Sequence, residues 1–285
     1  MTISTTRSTE RDNHLDSLNR PAWSDPASVA IYEGTEVWSD PGERIAVHSI
    51  ASEARGCPIL DVGVGGGRTA SFLRLLSDDY IGIDYTQAMV DSCNLRLPEL
   101  DIRLGDARDL SQFADGQFGL VVFSFNGIDS VDHDGRRKAL SEFHRVLRAD
   151  GLLLFSTLNK DGPSFKVTPW SGTRCNAGQG VVRRIVKFTA RLPLSVPRYV
   201  RTYRNWWQNR RHVTDHGGWG IGLLAAHDLG LLVHYVTFDA ALEELAVVGF
   251  APIGVFAVED GRLLASAREA SGVDYFHVAA RKLTS

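Results

Sequence analysis

Ile59-Leu60-Asp61-Val62-Gly63-Val64-Gly65-Gly66-Gly67-Arg68-Thr69 governs how the rest of the chain is read. A short apolar run takes in one carboxylate and passes directly into four closely spaced glycines. Glycine reaches backbone angles closed to other residues and lets a ligand approach the main chain. A turn of this kind, after a parallel strand and before a helix, is where an open α/β sheet holds a nucleoside.

The elements around this turn support a parallel sheet. Upstream, Asp40-Pro41-Gly42-Glu43 starts a helix: Asp40 caps, Pro41 takes the first helical position and Glu43 sits where a capping box wants it. That helix runs to about Ala54. Strands are predicted at Pro58–Val62, Tyr80–Asp84, Asp101–Leu104, Phe118–Phe125 and Leu152–Thr157. Helices alternate with them at Arg68–Leu76, Thr86–Leu95 and Arg136–Leu147, and Asp150-Gly151 breaks the chain before the fifth strand. Phe118–Phe125 is almost continuously apolar, as a strand covered on both faces should be. This rhythm predicts a doubly wound, Rossmann-like α/β sheet. It stops at Asn159 and resumes near Val236, with a helix over Phe238–Val248 and strands over Ala251–Val258 and Asp274–Lys282. A short polar link makes the last two strands a closing hairpin, for seven strands in all. The expected organisation is a leader and cofactor-covering segment (1–40), a core (41–158 and 236–285) and a mostly helical lid inserted after the fifth strand (159–235).

Three carboxylates, Asp61, Asp84 and Asp106, stand at three successive strand ends, which share one rim in this fold. Asp84 can accept both hydroxyls of a ribose. Asp106 can accept from an adenine amino group, with the Ala107 amide as donor to the ring. Asp61 can hold an ammonium group, directly or through water. Asp-x-Gly-x-Gly-x-Gly at 61–67, the acidic strand end at Asp84, Gly105-Asp106-Ala107 and the Leu147–Leu152 turn together resemble the class I S-adenosylmethionine-dependent methyltransferases. The resemblance covers about 55–158 and, more weakly, 236–283. It implies S-adenosyl-L-methionine as cofactor. Asp61, Gly63 and Gly65 would bound its methionine part, Asp84 the ribose, and Asp106 and Ala107 the adenine. Tyr85 and Met89 would pack on the adenosine, and Phe123, Ser124, Phe125 and Asn126 would floor the transfer site. Tyr32 and Trp38 lie in a segment that often closes over the cofactor in this family. Gly119, where the fourth strand usually opens with an acidic residue, and Asn126-Gly127 depart from the common pattern. The rival reading is a dinucleotide site, since Gly65-x-Gly67-x-x-Ala70 satisfies a relaxed fingerprint. Asp61 argues against it, because a carboxylate there would face a pyrophosphate.

Composition is that of an ordinary globular protein with a net charge of -3. Cys57, Cys93 and Cys175 are too far apart for a metal or redox spacing, and no metal is expected. Sparse cysteines and the lack of a signal core or a membrane-length apolar run point to a cytoplasmic protein. Charge is unevenly spread. Between Lys160 and Arg211 stand twelve basic residues and one acid, Asp161, leaving 19 basic and 33 acidic residues elsewhere. The lid can bind an anionic substrate. It can touch an anionic membrane transiently through the stripe Val181, Val182, Ile185, Phe188 and Leu192. It can also pair with the acidic body, within a monomer or across a homodimer. Nucleic acid is disfavoured because no recognised module accompanies the interleaved arginines and aromatics.

Methyl transfer needs an aligned acceptor and excluded water. His133, His227 and His234 are the candidates for a general base. Asn126, Asp129, Trp206, Trp207, Trp219 and Tyr235 are the candidate substrate contacts. The expected activity is methyl transfer to a small molecule that is anionic or partly apolar. The alternatives are methylation of nucleic acid or membrane lipid, and cofactor binding without turnover.

Overall fold

A computed structural model describes Leu15, Asn19, residues 39–171 and residues 198–284. Tyr32, Trp38, Cys175 and the apolar stripe of the lid lie outside the described residues. From residue 39 on, the first element is α1 (Pro41–Ala54), where the Asp40 side chain accepts from the Glu43 amide at 2.8 Å. Such a cap is worth about 1 kcal/mol. The capping box is not completed as expected: the Glu43 carboxylate binds Arg68 on both oxygens instead. Then follow β1 (Ile59–Val62), α2 (Ala70–Leu73), β2 (Tyr80–Asp84), α3 (Gln87–Arg96), β3 (Asp101–Leu104), β4 (Phe118–Phe123), α4 (His133–Val146) and β5 (Leu147–Leu158).

The predicted helix over Arg68–Leu76 shrinks to the single turn α2. Amides of Phe72, Leu75 and Leu76 reach back only three residues, so the chain is wound tighter than an α-helix on both sides of that turn. In β5 the break at Asp150-Gly151 survives as an irregularity. Phe118 pairs with Leu147 but Leu120 with Leu152, and Asp150 adopts φ 59°. The residues between swing out of register.

After the insertion come α6 (Phe238–Val248), β9 (Phe250–Ala257), α7 (Ala267–Ala270) and β10 (Tyr275–Lys282). The seven-stranded sheet runs β3-β2-β1-β4-β5-β10-β9, and β10 is antiparallel to both of its neighbours. From Leu120 to Phe123 successive residues of β4 serve opposite faces, and the register shift between Phe118 and Leu120 puts Phe118 on the side of Val121 and Phe123. Phe118, Val121 and Phe123 join Phe143, Phe155 and Phe276 on one side. Leu120 and Val122 join Ile50, Ile59 and Cys93 on the other. Gly119 is explained by packing, since a Cβ there would lie 2.6 Å from Cys57 Cβ.

In its described part the insertion is not mostly helical. Residues 198–209 form one helix, α5. It is followed by an antiparallel three-stranded sheet, β6 (Thr214–Asp215), β7 (Trp219–Leu223) and β8 (Leu232–Val236). The glycine and aromatic alternation of Trp219-Gly-Ile-Gly-Leu suits a strand whose glycines lie under rings. A Cβ on Gly220 or Gly222 would strike Phe165 or Tyr235 within 3.0 Å. Leu15 packs on this sheet beside Ile221, Leu223 and Leu232, and Asn19 bonds both the amide and the carbonyl of Leu232.

Candidate active site

The chain reverses its winding direction between β1 and β4, and the crevice beyond these strand ends is where such sheets bind ligands. The glycine turn lies at its lip. Gly63 has φ 65°, and the Phe123 ring comes so near that a Cβ would meet it at 2.6 Å. Gly65 has φ 50° but open space beside it, the nearest atom to a Cβ being the Gly63 carbonyl at 4.0 Å. Its amide donates to Asp84 Oδ2 at 3.0 Å. Asp84 Oδ1 accepts from the amide and the hydroxyl of Thr86, at 3.0 and 2.9 Å. Burial pushes the Asp84 carboxyl up, and these donors pull it back. Gly65 and Asp84, singled out on separate motifs, are therefore one hydrogen-bonded unit.

Asp61 is wholly buried. Its Oδ2 accepts from the Thr69 hydroxyl and, at 2.7 Å, from Tyr80. Burial pushes its carboxyl up to about 6, against both hydroxyls. In this arrangement Asp61 ties the glycine turn to β1 and β2. Asp106 is one-third exposed and paired with Arg108 at 2.6 Å, while Ala107 and Met89 are buried and Tyr85 is half-buried.

Across the crevice, Arg68 is clamped by Glu43 at 2.6 and 2.8 Å and donates to Ser124 Oγ at 2.8 Å. Its guanidinium lies 5.7 Å from the Phe125 ring centre. Phe125 and Asn126 both hold positive φ, 52° and 60°. Two successive side-chain-bearing residues in the left-handed region store strain of order 1–3 kcal/mol each, a cost concentrated at functional loops. The Asn126 amide is fixed by Ser156 Oγ at 2.7 Å, while its Oδ1 is buried without a partner.

Beneath the lid, the expected substrate residues separate into different roles. Asp129 is fully buried and accepts from Arg136 at 2.7 Å, Thr157 at 2.7 Å and the Leu158 amide at 2.7 Å. Arg136 also holds Glu244 at 2.7 Å. Burial pushes the Asp129 carboxyl up to about 7, and Arg136 pulls it down. Tyr235 is buried, and its hydroxyl donates to the Leu223 carbonyl at 3.1 Å, as a lid-core residue would. His133 and His234 are brought together, Nδ1 to Nε2, at 3.2 Å, and Trp219 stacks on His133 at 4.2 Å between ring centres. Burial pushes both imidazoles down, His234 far below its usual value. His227 stands apart, on the turn Ala225–His227. Trp206 and Trp207 lie on α5 under Arg210, whose guanidinium is 3.7 Å from the Trp207 ring centre. Arg198 and Arg201 both pair with Asp228, and Lys160 pairs with Asp215 at 2.7 Å. These described lid cations are thus met by acids of the lid itself.

Glu43, Arg68, Arg136 and Glu244 were not singled out as site residues. Only Arg68 carried a signal, a charged residue directly after the glycines. The others meet through distant segments.

Comparison with known proteins decides among the nucleoside readings. Residues 60–155 match the family model described as "Methyltransferase domain". The chain is similar to a probable S-adenosylmethionine-dependent methyltransferase of Mycolicibacterium smegmatis, 29% identical over 140 residues, 48% of this chain and 53% of that protein. It is also similar to the ubiquinone/menaquinone biosynthesis C-methyltransferase of Geotalea uraniireducens, 32% identical over 126 residues, 40% of this chain and 52% of the relative. The chain spans about half the length of these curated relatives. Among solved structures, the fold is shared with the 1,6-didemethyltoxoflavin-N1-methyltransferase of Burkholderia thailandensis, crystallised with S-adenosylhomocysteine. The TM-score is 0.56 and the identity 14%, over 100% of this chain and 93% of that one. The matched segment contains the glycine turn, Asp84, Asp106 and the strained end of β4. No helix among the described residues is long and apolar enough to cross a membrane.

Proposed function

We propose that the protein is an S-adenosyl-L-methionine-dependent methyltransferase acting on a small molecule, anionic or partly apolar. The observation that carries this reading is the Gly65–Asp84 unit at the mouth of the crevice, inside the segment that matches the methyltransferase family. The cradle beside Gly65 is open where a Cβ would otherwise stand. The sheet order supports the same reading. Dinucleotide-binding sheets of the Rossmann type run 3-2-1-4-5-6, whereas here an antiparallel β10 separates β5 from β9.

When bound, the cofactor supplies an activated methyl group on a sulfonium. The chain's residues then have three tasks. Asp84 and Gly65 hold the sugar, and Asp106 and Ala107 the base. Gly63 and the Ser124-Phe125-Asn126 turn bound the reacting end. The lid orients the acceptor and keeps water out, which is the larger part of catalysis for a displacement with a good leaving group. Asn126 Oδ1, a buried acceptor without a donor, supports a ligand contact on that side. The character of the acceptor is inferred from the lid. A cleft of about 360 Å³ there is lined by Phe165, Lys166, Trp206, Arg210, Asp215 and Leu223, which offer two cations, one acid and apolar walls together. A malonyl-[acyl-carrier protein] O-methyltransferase of Yersinia pestis is 31% identical over 122 residues, 42% of this chain and 42% of that protein.

The test is incubation of the purified protein with methyl-labelled cofactor and a fractionated cell extract. Label in the small-molecule fraction is expected. Label recovered in nucleic acid or membrane lipid would replace the acceptor assignment, and binding without any labelled product would leave a cofactor-binding protein that does not turn over.

A further inference from the structure

Two imidazoles and a carboxylate meet at the seam between the lid and the sheet domain. His133 is the first residue of α4, His234 lies in β8, and Glu244 is in the middle of α6. One ligand-type atom from each lies within 4.8 Å of the other two. His133 Nδ1 is 3.2 Å from His234 Nε2 and 3.7 Å from Glu244 Oε1. We propose that His133, His234 and Glu244 bind a divalent transition-metal cation of the zinc class.

Two of the three separations match those of ligands around one ion, and the third, between His234 and Glu244, is no more than 4.8 Å. Bonds of about 2.1 Å meeting at a tetrahedral angle place their outer atoms about 3.4 Å apart, between the two separations found. The donor set, two histidines and one carboxylate, is one that zinc and related ions take with a position left open. The ligand atoms are also held in place. Arg136 Nε donates to Glu244 Oε2 at 2.7 Å, which leaves Oε1 turned toward His133. Trp219 stacks on both imidazoles, within 2° and 12° of parallel, and fixes their planes. Asp129 meets the other side of Arg136, so the guanidinium's charge is balanced before an ion arrives. Outer contacts of this sort commonly change metal affinity by roughly 10- to 100-fold. Since β8 belongs to the lid and α4 and α6 to the sheet domain, a bound ion would pin one to the other.

The site is independent of the methyl-transfer reading, and its test is separate. Untagged protein stripped with a chelator is titrated with zinc alone by calorimetry. Binding of one ion per chain is expected, with a rise in Tm at saturation, and cobalt in place of zinc should give the visible bands of a four-coordinate nitrogen–oxygen site. His133→Ala, at a partly exposed position, should weaken zinc binding at least tenfold and remove the Tm rise. Glu244→Gln should do the same and serves as the second variant. Far-ultraviolet circular dichroism of each metal-free variant, measured in parallel, reports that the domain is folded. No saturable zinc binding by the wild-type chain would overturn the proposal and leave a plain histidine–histidine hydrogen bond. Equal binding by the wild type and both variants would overturn it as well.

Discussion

Replacing Asp84 with asparagine tests the cofactor assignment most directly. Asp84 is 6% exposed, and among the hydrogen bonds it accepts are two on Oδ1 from Thr86 and one on Oδ2 from the Gly65 amide. Asparagine keeps an oxygen for the Thr86 pair but turns an NH2 toward the Gly65 N–H, donor against donor. The reverse orientation gives up two bonds to save one. The variant therefore loses one charge-assisted bond and unseats the turn that forms the cradle. It also offers a ribose one acceptor where there were two. A hydrogen bond to a charged group contributes about 1.5–3 kcal/mol, so binding should weaken by about 2–3 kcal/mol, roughly 30- to 150-fold in Kd. The assay is calorimetric titration with S-adenosylhomocysteine, accompanied by a thermal melt. Stability should fall by only about 1–2 kcal/mol, because neither core cluster includes Asp84. A Kd within threefold of wild type, in a variant that melts normally, would refute the placing of the sugar at this carboxylate.

Gly65→Ala should weaken the same ligand by roughly tenfold or more while lowering stability by about 1 kcal/mol, the cost of a side chain at its φ of 50° in otherwise open space; a loss of stability without any loss of affinity would remove the cradle. Arg136→Met leaves Asp129 and Glu244 buried without their shared cation and should cost about 3–5 kcal/mol in urea unfolding, a figure contradicted by a midpoint like that of wild type. Burial raises Asp61 from 3.8 to about 6 in the folded chain. The folded state therefore holds this proton more tightly than the unfolded one, and the group favours folding below pH 4. Its contribution declines as pH rises through 6, by up to about 3 kcal/mol. Asp61→Asn should flatten this component between pH 4 and 6.5, and identical pH–stability curves for the two proteins would count against a buried, strained carboxylate.

The features legible in the sequence were those carried by local pattern. Asp40-Pro41 marked a helix start, and the apolar run of β4 marked a strand buried on both faces. Four glycines beside Asp61 marked the turn that follows β1. The rest depended on meetings that no local pattern encodes. Glu43 looked like a capping-box residue and instead holds Arg68, 25 residues away. Asp129 looked like a residue of the transfer side and is sealed by Arg136 and Thr157. The lid's arginines suggested a partner outside the lid, yet Asp228 takes two of them. The helix after the glycine turn failed for a related reason. Its opening Thr69 is tied to Asp61, so tertiary bonding overrode helical spacing.

The seat of β10 bears on the order in which the sheet can be built. This last strand is the link between β5 and β9, and His277 and Tyr275 on it bond Asp40 at the head of α1. During synthesis β9 emerges with no neighbour to receive it and must wait, edge exposed, until residues 275–282 leave the ribosome. Final assembly is thus a late event that stitches the two ends of the domain together at once, and a chain cut before Tyr275 would lose its outermost strand and the anchor of α1 together.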